Sequence, residues 1–162
     1  MKAHKYKLKM NAKFQAGCEQ ALHVCRELYN AALQERRDAW AMSRTSVNYY
    51  QQASQLAVIK QAREDVAAVY SQVLQDTLRR LSKTFEAFFR RVRNGEQPGF
   101  PRFKGCDRFD SFCYPQSGFR LTGDKLHLSK IGSCRVRLSR PVEGTTRPAR
   151  SGAKLMAGMS SL

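Results

Sequence analysis

Between Gly95 and Phe112 the chain reads GEQPGFPRFKGCDRFDSF, with phenylalanines set among Arg102, Lys104 and Arg108. An arginine fork matches a phosphate with two parallel hydrogen bonds, and an aromatic ring stacks on an unpaired base. The alternation therefore carries the chemistry of RNA or single-strand contact. The competing reading is a loop whose rings pin it to a core. Just upstream, Arg79, Arg80, Lys83, Arg90, Arg91 and Arg93 run straight into this loop. A solvated helix face would explain that run alone, but its continuity with the loop favours binding. Arg79, Lys83, Arg90, Arg91, Arg102, Lys104 and Arg108 are thus candidate phosphate contacts.

Other chemistry is thinly represented. Asp65, Asp76, Asp107, Asp110 and Asp124 are scattered, with no D-x-D or D-x-x-E cluster to hold two metal ions. His4, His23 and His127 lack metal-ligand spacing, and no phosphate-cradling G-x-x-x-x-G-K-[ST] occurs. The expectation is a non-enzyme with no catalytic residue, metal or cofactor. The five cysteines, Cys18, Cys25, Cys106, Cys113 and Cys134, include no C-x-x-C pair, which suits reduced structural thiols.

Charge points the same way. Lys and Arg number 29 against 13 Asp and Glu, a net +16 over 162 residues, and such an excess self-repels unless a polyanion offsets it. Nucleic acid is the first candidate partner, ahead of an anionic membrane surface. No apolar run is long enough to span a bilayer, and MKAHKYKLKM lacks the apolar core of a signal peptide, so a cytoplasmic location is expected.

The elements that must position these residues follow from periodicity. Lys2 to Met10 sets Tyr6, Leu8 and Met10 against Lys5, Lys7 and Lys9, the alternation of a half-buried strand. Asn11 can cap a helix over Ala12 to Met42, with apolar residues from Phe14 to Leu33 at spacings of three and four and a basic end at Arg36, Arg37 and Trp40; Gly17 weakens its first turn. A second helix is predicted from Tyr49 to about Glu64 and a third over about Val66 to Arg93, stopped by Asn94-Gly95. Short strands follow at Ser111–Tyr114, Phe119–Leu121, Lys125–Leu128 and Cys134–Leu138. The order predicts an α+β fold in which the first strand pairs with the late ones and three helices form an insertion.

The segments CRELYNAALQERR, SQVLQDTLRRLSKTFEAFFRRVRNGEQPGFPRFKGCDRFDSFCYPQ and KIGSCRVRL together resemble the TnpB family, the OrfB-type transposases of small bacterial insertion sequences, over about Lys2 to Gly144. The resemblance implies an RNA-guided DNA nuclease related to the type V CRISPR effectors. It also implies a small wedge-like β-barrel interrupted by a helical recognition insertion: residues 1–11 as first wedge strand, 12–94 as insertion, and 95–144 as loop and remaining wedge strands. In that family these parts hold the guide RNA scaffold and read a short motif beside the target in duplex DNA. The matching positions are Tyr49, Ser71, Gln72, Gln75, Cys113 and Tyr114; Gln can pair bidentately with adenine, and Tyr can stack or reach phosphate. Ala53 stands where a polar contact residue can occur, which leaves the preferred motif open.

The sequence departs from the family in two ways. The RuvC-like nuclease, with its separated acidic residues and C-x-x-C zinc finger, has no counterpart here, so a noncatalytic fragment is expected. Residues 145–162 lose the resemblance and lack an apolar period, which predicts a tail without fixed structure. A frameshift would account for that departure, because permitted codons for Pro148 to Leu162 can be read in another frame as a strand-like peptide. The expected partners are guide RNA and duplex DNA, with no membrane and no small-molecule substrate. Two alternatives are an autonomous DNA-binding protein using helices two and three as a helix-turn-helix, and a nonfunctional remnant of a degenerate transposase gene.

Overall fold

Asn11 starts the helical part of the chain: its Oδ1 accepts the Phe14 amide at 2.8 Å and satisfies one of the orphan donors of the first turn. The computed structural model describes residues 6–139 and the backbone of residues 155–158. Strand β1 (Lys7–Lys9) precedes this cap and helix α1 (Ala12–Ser43) follows it. Phe14, Cys18, Ala21, Cys25, Leu28 and Leu33 form the buried stripe of α1. That stripe stops at Leu33, so the last turns of the helix project beyond the core with Trp40 53% exposed. Arg44 ends the helix in the left-handed region at φ 53°.

Asn48 and Gln51 then form a reciprocal capping box that starts α2 (Tyr49–Ala62). Gln52 on α2 is buried but saturated: it donates to the Ala32 carbonyl at 2.9 Å and to Glu35 Oε2 at 2.7 Å, and it accepts from Arg36 Nε at 2.9 Å.

The single helix predicted from about Val66 is two helices, α3 (Glu64–Ala67) and α4 (Ser71–Arg93), so four α-helices are found among the described residues. Tyr70 breaks the run with an extended backbone (φ −61°, ψ 132°). Its ring stacks on Tyr114 at 5.5 Å and 15°, and its hydroxyl pairs with Ser117 Oγ at 2.9 Å. Gly118, at φ 86°, packs so tightly beneath that ring that a Cβ would lie 2.4 Å from it. Tertiary stacking here overrides a local preference for helix.

Strands β3 (Phe119–Thr122), β4 (Lys125–Leu128) and β5 (Gly132–Arg137) join β1 in an antiparallel sheet of order β1-β5-β4-β3, so the first strand does pair with the late ones. The inner face carries Leu8 opposite Val136 and Leu126 opposite Cys134. This face packs on α1, where Ile131 Cγ2 lies 3.0 Å from the position a Cβ on Gly17 would take. The glycine that weakens the helix is thus the one that lets the sheet approach. Strand β2 (Ser111–Tyr114) pairs separately with β6 (Leu155–Gly158). The fold is α+β, but among the described residues the four-stranded sheet is open rather than closed into the expected barrel, with β1 and β3 as its edges. Of the tail expected to lack structure, all but the β6 backbone lies outside the described residues. No helix among the described residues is long and apolar enough to cross a membrane.

Candidate nucleic-acid interface

Helix α4 carries two faces with opposite tasks. Val73, Leu74, Thr77, Leu78 and Leu81 are buried, whereas Gln75, Arg79, Lys83 and Arg90 are exposed. At 100° per residue Gln72, Gln75, Arg79, Lys83 and Arg90 fall within about 80° of one another, a polar stripe running about 27 Å along the helix. Glu86 interrupts the stripe and Arg91 lies off it, 3.9 Å from Glu96. Tyr49, at the start of α2, is brought beside this stripe. Its hydroxyl accepts from Arg79 Nε at 3.2 Å, and the guanidinium sits 5.2 Å from the ring centroid. The tyrosine oxygen pushes the Arg79 pKa further up, so the cation is held oriented and charged.

The first turn of α4 is more heavily engaged. Ser71 Oγ accepts from Lys60 Nζ, and Gln72 Oε1 accepts the Ser117 amide at 3.1 Å. Of the two glutamines singled out in the sequence, only Gln75 is exposed. Cys113 and Tyr114, matched to the family's contact positions, lie inside: they are 2% and 1% exposed, and the Tyr114 hydroxyl donates to the Ser129 carbonyl at 2.8 Å. Their side chains do not reach the surface.

The loop after α4 is shaped by its end. Gly95, at φ 78°, follows the helix cap; its amide donates to the Val92 carbonyl at 3.0 Å, and the Glu96 amide donates to the Arg91 carbonyl at 3.0 Å, a Schellman closure. Further on, the four phenylalanines divide. Phe109 and Phe112 are buried anchors, and Phe109 sits between Tyr29, at 6.0 Å, and the Arg80 guanidinium, at 4.9 Å. Arg80 also donates to the Ser111 carbonyl at 2.6 Å, so it works as a brace between helix and strand rather than as a free cation. Phe100 and Phe103 remain 46% and 42% exposed. Arg37, from the projecting end of α1, lies 5.8 Å and 5.3 Å from their ring centroids. Arg102 and Arg108 are exposed in the same segment, and Lys104 Nζ lies 6.0 Å from the Tyr29 ring.

The structure therefore gathers Tyr49, Gln75, Arg79, Lys83 and Arg90 along α2 and α4, and Arg102, Lys104 and Arg108 in the loop. Arg37 was missed as a site residue; the basic turn continuing past the last apolar residue of α1 was its signal. Among the described residues no group of three His, Cys, Asp or Glu could hold a metal ion.

A helical insertion thus separates strand β1 from its partner β5 and carries one cationic stripe. A family model described as a helix-turn-helix domain, of the OrfB type of IS605 elements, matches residues 1–45. A protein of Escherichia coli strain K12 named as a candidate RNA-guided DNA endonuclease, InsQ, is 30% identical over 151 residues, which is 91% of this chain and 36% of that protein. A candidate RNA-guided DNA endonuclease of Streptomyces pristinaespiralis is 28% identical over 151 residues, with the same coverage. The resemblance to the N-terminal region of the TnpB (OrfB-type) family is borne out by both comparisons, and the chain spans 36% of the length of these curated relatives. Among the described residues of that span, 6–45, the structure is one strand and one continuous helix.

Proposed function

We propose that this chain is a noncatalytic nucleic-acid-binding module of the TnpB type, which holds guide RNA and meets target-adjacent duplex DNA. The observation that carries the reading is the stripe from Gln75 through Arg79 and Lys83 to Arg90, with Arg79 fixed by Tyr49. Arginine and lysine on such a stripe position a phosphate backbone, and Gln75 supplies an amide of the kind that pairs with adenine. The exposed Phe100 and Phe103 beside Arg37 offer a stacking surface for an unpaired base. The open edges of the sheet are where a wedge-like barrel would close.

The helix-turn-helix alternative needs the first turn of α4 free to enter a groove. That turn is instead docked on residues 117 and 118 through Tyr70 and Gln72. Purification of the expressed chain with its bound nucleic acid, followed by sequencing, tests the proposal. A defined RNA species bound in preference to bulk RNA is the expected result; recovery of duplex DNA alone would favour the helix-turn-helix reading, and recovery of no nucleic acid would remove both.

A further inference from the structure

The apolar faces of α1 and α4 run on past the core that the two helices share. The helices lie parallel: the Cys25 thiol pairs with Thr77, and further along Arg36 donates to Ser82 Oγ at 2.9 Å and covers the Phe85 ring at 5.1 Å. The last buried residues are Leu33 on α1 and Leu81 on α4. Beyond them the apolar spacing continues, with Trp40 seven residues after Leu33, and Phe85, Phe89 and Val92 following Leu78 and Leu81. At 100° per residue Trp40 falls between Arg36 and Arg37 on α1, and Phe89 falls between Ser82 and Phe85 on α4. Both therefore turn toward the gap between the helix ends. The loop fills one side of that gap, where Phe100 packs edge-on against Phe85 and Phe88 at 5.7 and 5.5 Å. On the other side Trp40, Phe89 and Val92 remain 53%, 54% and 47% exposed, and they leave open an apolar cleft about two turns long.

We infer that this cleft is a docking site for an acidic amphipathic helix of a partner protein. Phe85, Phe89 and Val92 stand at i, i+4 and i+7 across from Trp40, the pattern that the apolar stripe of a bound helix fills. Charge selects the partner. Arg44 ends α1 with its guanidinium 5.6 Å from the Trp40 ring centroid, and Arg93 falls on the same side of α4 as Phe89. Over 36–44 and 85–93 the two helix ends carry six arginines against two carboxylates, Asp38 and Glu86. Asp38 faces away from the cleft, where its Oδ1 accepts from Gln34 at 2.7 Å. A second copy of the chain would bring the same cations to the cleft, and its net +16 repels a like molecule, so an anionic partner fits where a self-complementary dimer does not. A nucleic acid is anionic too, but its backbone has no apolar row to lay along Phe85, Phe89 and Val92. One face of Trp40 already lies under Arg44, which leaves less of the ring for a base. Trp40, Arg44, Phe89, Val92 and Arg93 belong neither to the α4 stripe nor to the loop, so the site is separate from the proposed nucleic-acid interface.

Trp40 is the one tryptophan of the chain, so its emission reports on the cleft directly. The probe is a synthetic peptide of three Glu-Leu-Glu-Glu-Leu-Glu-Ala repeats, whose leucines recur at the three-and-four spacing of an amphipathic helix. Saturable binding to the full chain with a blue shift of Trp40 emission is the expected result. The same peptide with serine for leucine should bind at least tenfold more weakly and leave the emission unshifted. Phe89→Ser should weaken the leucine peptide at least tenfold, and Arg44→Glu with Arg93→Glu should weaken it as much. All three side chains are exposed, so thermal midpoints should stay at that of the parent, which separates lost docking from lost folding. Absence of the shift, or equal affinity for the leucine and serine peptides, overturns the inference. A blue shift that grows with protein concentration in the absence of peptide overturns it in favour of a second copy. Single-stranded RNA that displaces the peptide and shifts Trp40 equally overturns it in favour of nucleic acid. Arg79→Ala with Lys83→Ala should weaken RNA binding and leave peptide binding unchanged, so the docking site and the proposed function fail independently; loss of peptide binding in that variant would reduce the docking to general charge attraction and overturn it.

Discussion

Asn30 grips Lys104 through both ends of its carboxamide: Nδ2 donates to the Lys104 carbonyl at 3.0 Å while Oδ1 accepts the Lys104 amide at 2.8 Å. One side chain on α1 thereby mimics a neighbouring strand and holds the middle of the loop between α4 and β2. Asn30→Ala removes both bonds from a partly buried site and is expected to cost about 1–3 kcal/mol. Thermal unfolding would show the loss, and limited proteolysis would show faster cutting within 96–108. Asn30→Asp should be nearly as damaging, because a carboxylate cannot donate to the carbonyl.

Gly118→Ala should destabilise the fold by about 2 kcal/mol or more, since an L-residue at its positive φ is strained and the new methyl collides with the Tyr70 ring. Near-ultraviolet circular dichroism would register the displaced tyrosine stack. A midpoint equal to that of the parent would show that the Tyr70–Tyr114 stack does not fix the break between α3 and α4.

Burial pushes the Cys18 and Cys25 thiols up from 9.0 to about 11. The native state therefore favours the protonated form. Stability from this source is fully present below pH 9.0 and is lost as the pH rises towards 11. In the native protein a thiol reagent at pH 8 should modify the exposed Cys106 alone, with the other four reacting only on unfolding. Rapid modification of more than one thiol would contradict the packing of α1 on the sheet.

Arg102→Ala should weaken binding to all nucleic-acid sequences alike and lower the log–log salt slope by about one, because its guanidinium is exposed and positions phosphate without specifying bases. Lys104→Ala should act in the same direction and lower the thermal midpoint slightly, since its ammonium also covers the Tyr29 ring. Isotherms on two unrelated sequences check both; unchanged affinity at low salt would exclude the loop from the interface.

The helices and strands were largely legible because their signals are local. Asn11, the three-and-four spacing from Phe14 to Leu33, Asn94-Gly95 and the alternation at Tyr6–Met10 each act within a few residues. The break at Tyr70 was not, because it is fixed by Tyr114 and Gly118, more than forty residues away in sequence. Cys113 and Tyr114 were singled out by the family resemblance alone, and SFCY, buried at three successive positions, lacks the alternation from which an inner and an outer face could have been told apart. The pairing of cations across the sheet was invisible for a related reason: each sits on an ordinary short strand, and only the register sets Lys9 against Arg135 and Arg135 against Lys125.

The central claim, that this chain binds nucleic acid through its phosphate backbone, is tested most directly by measuring the affinity of the purified chain for RNA between 50 and 200 mM salt. With six or more phosphate contacts, log K should fall linearly with log salt and lose about three orders of magnitude or more across that range. An affinity that stays flat with salt would contradict the account.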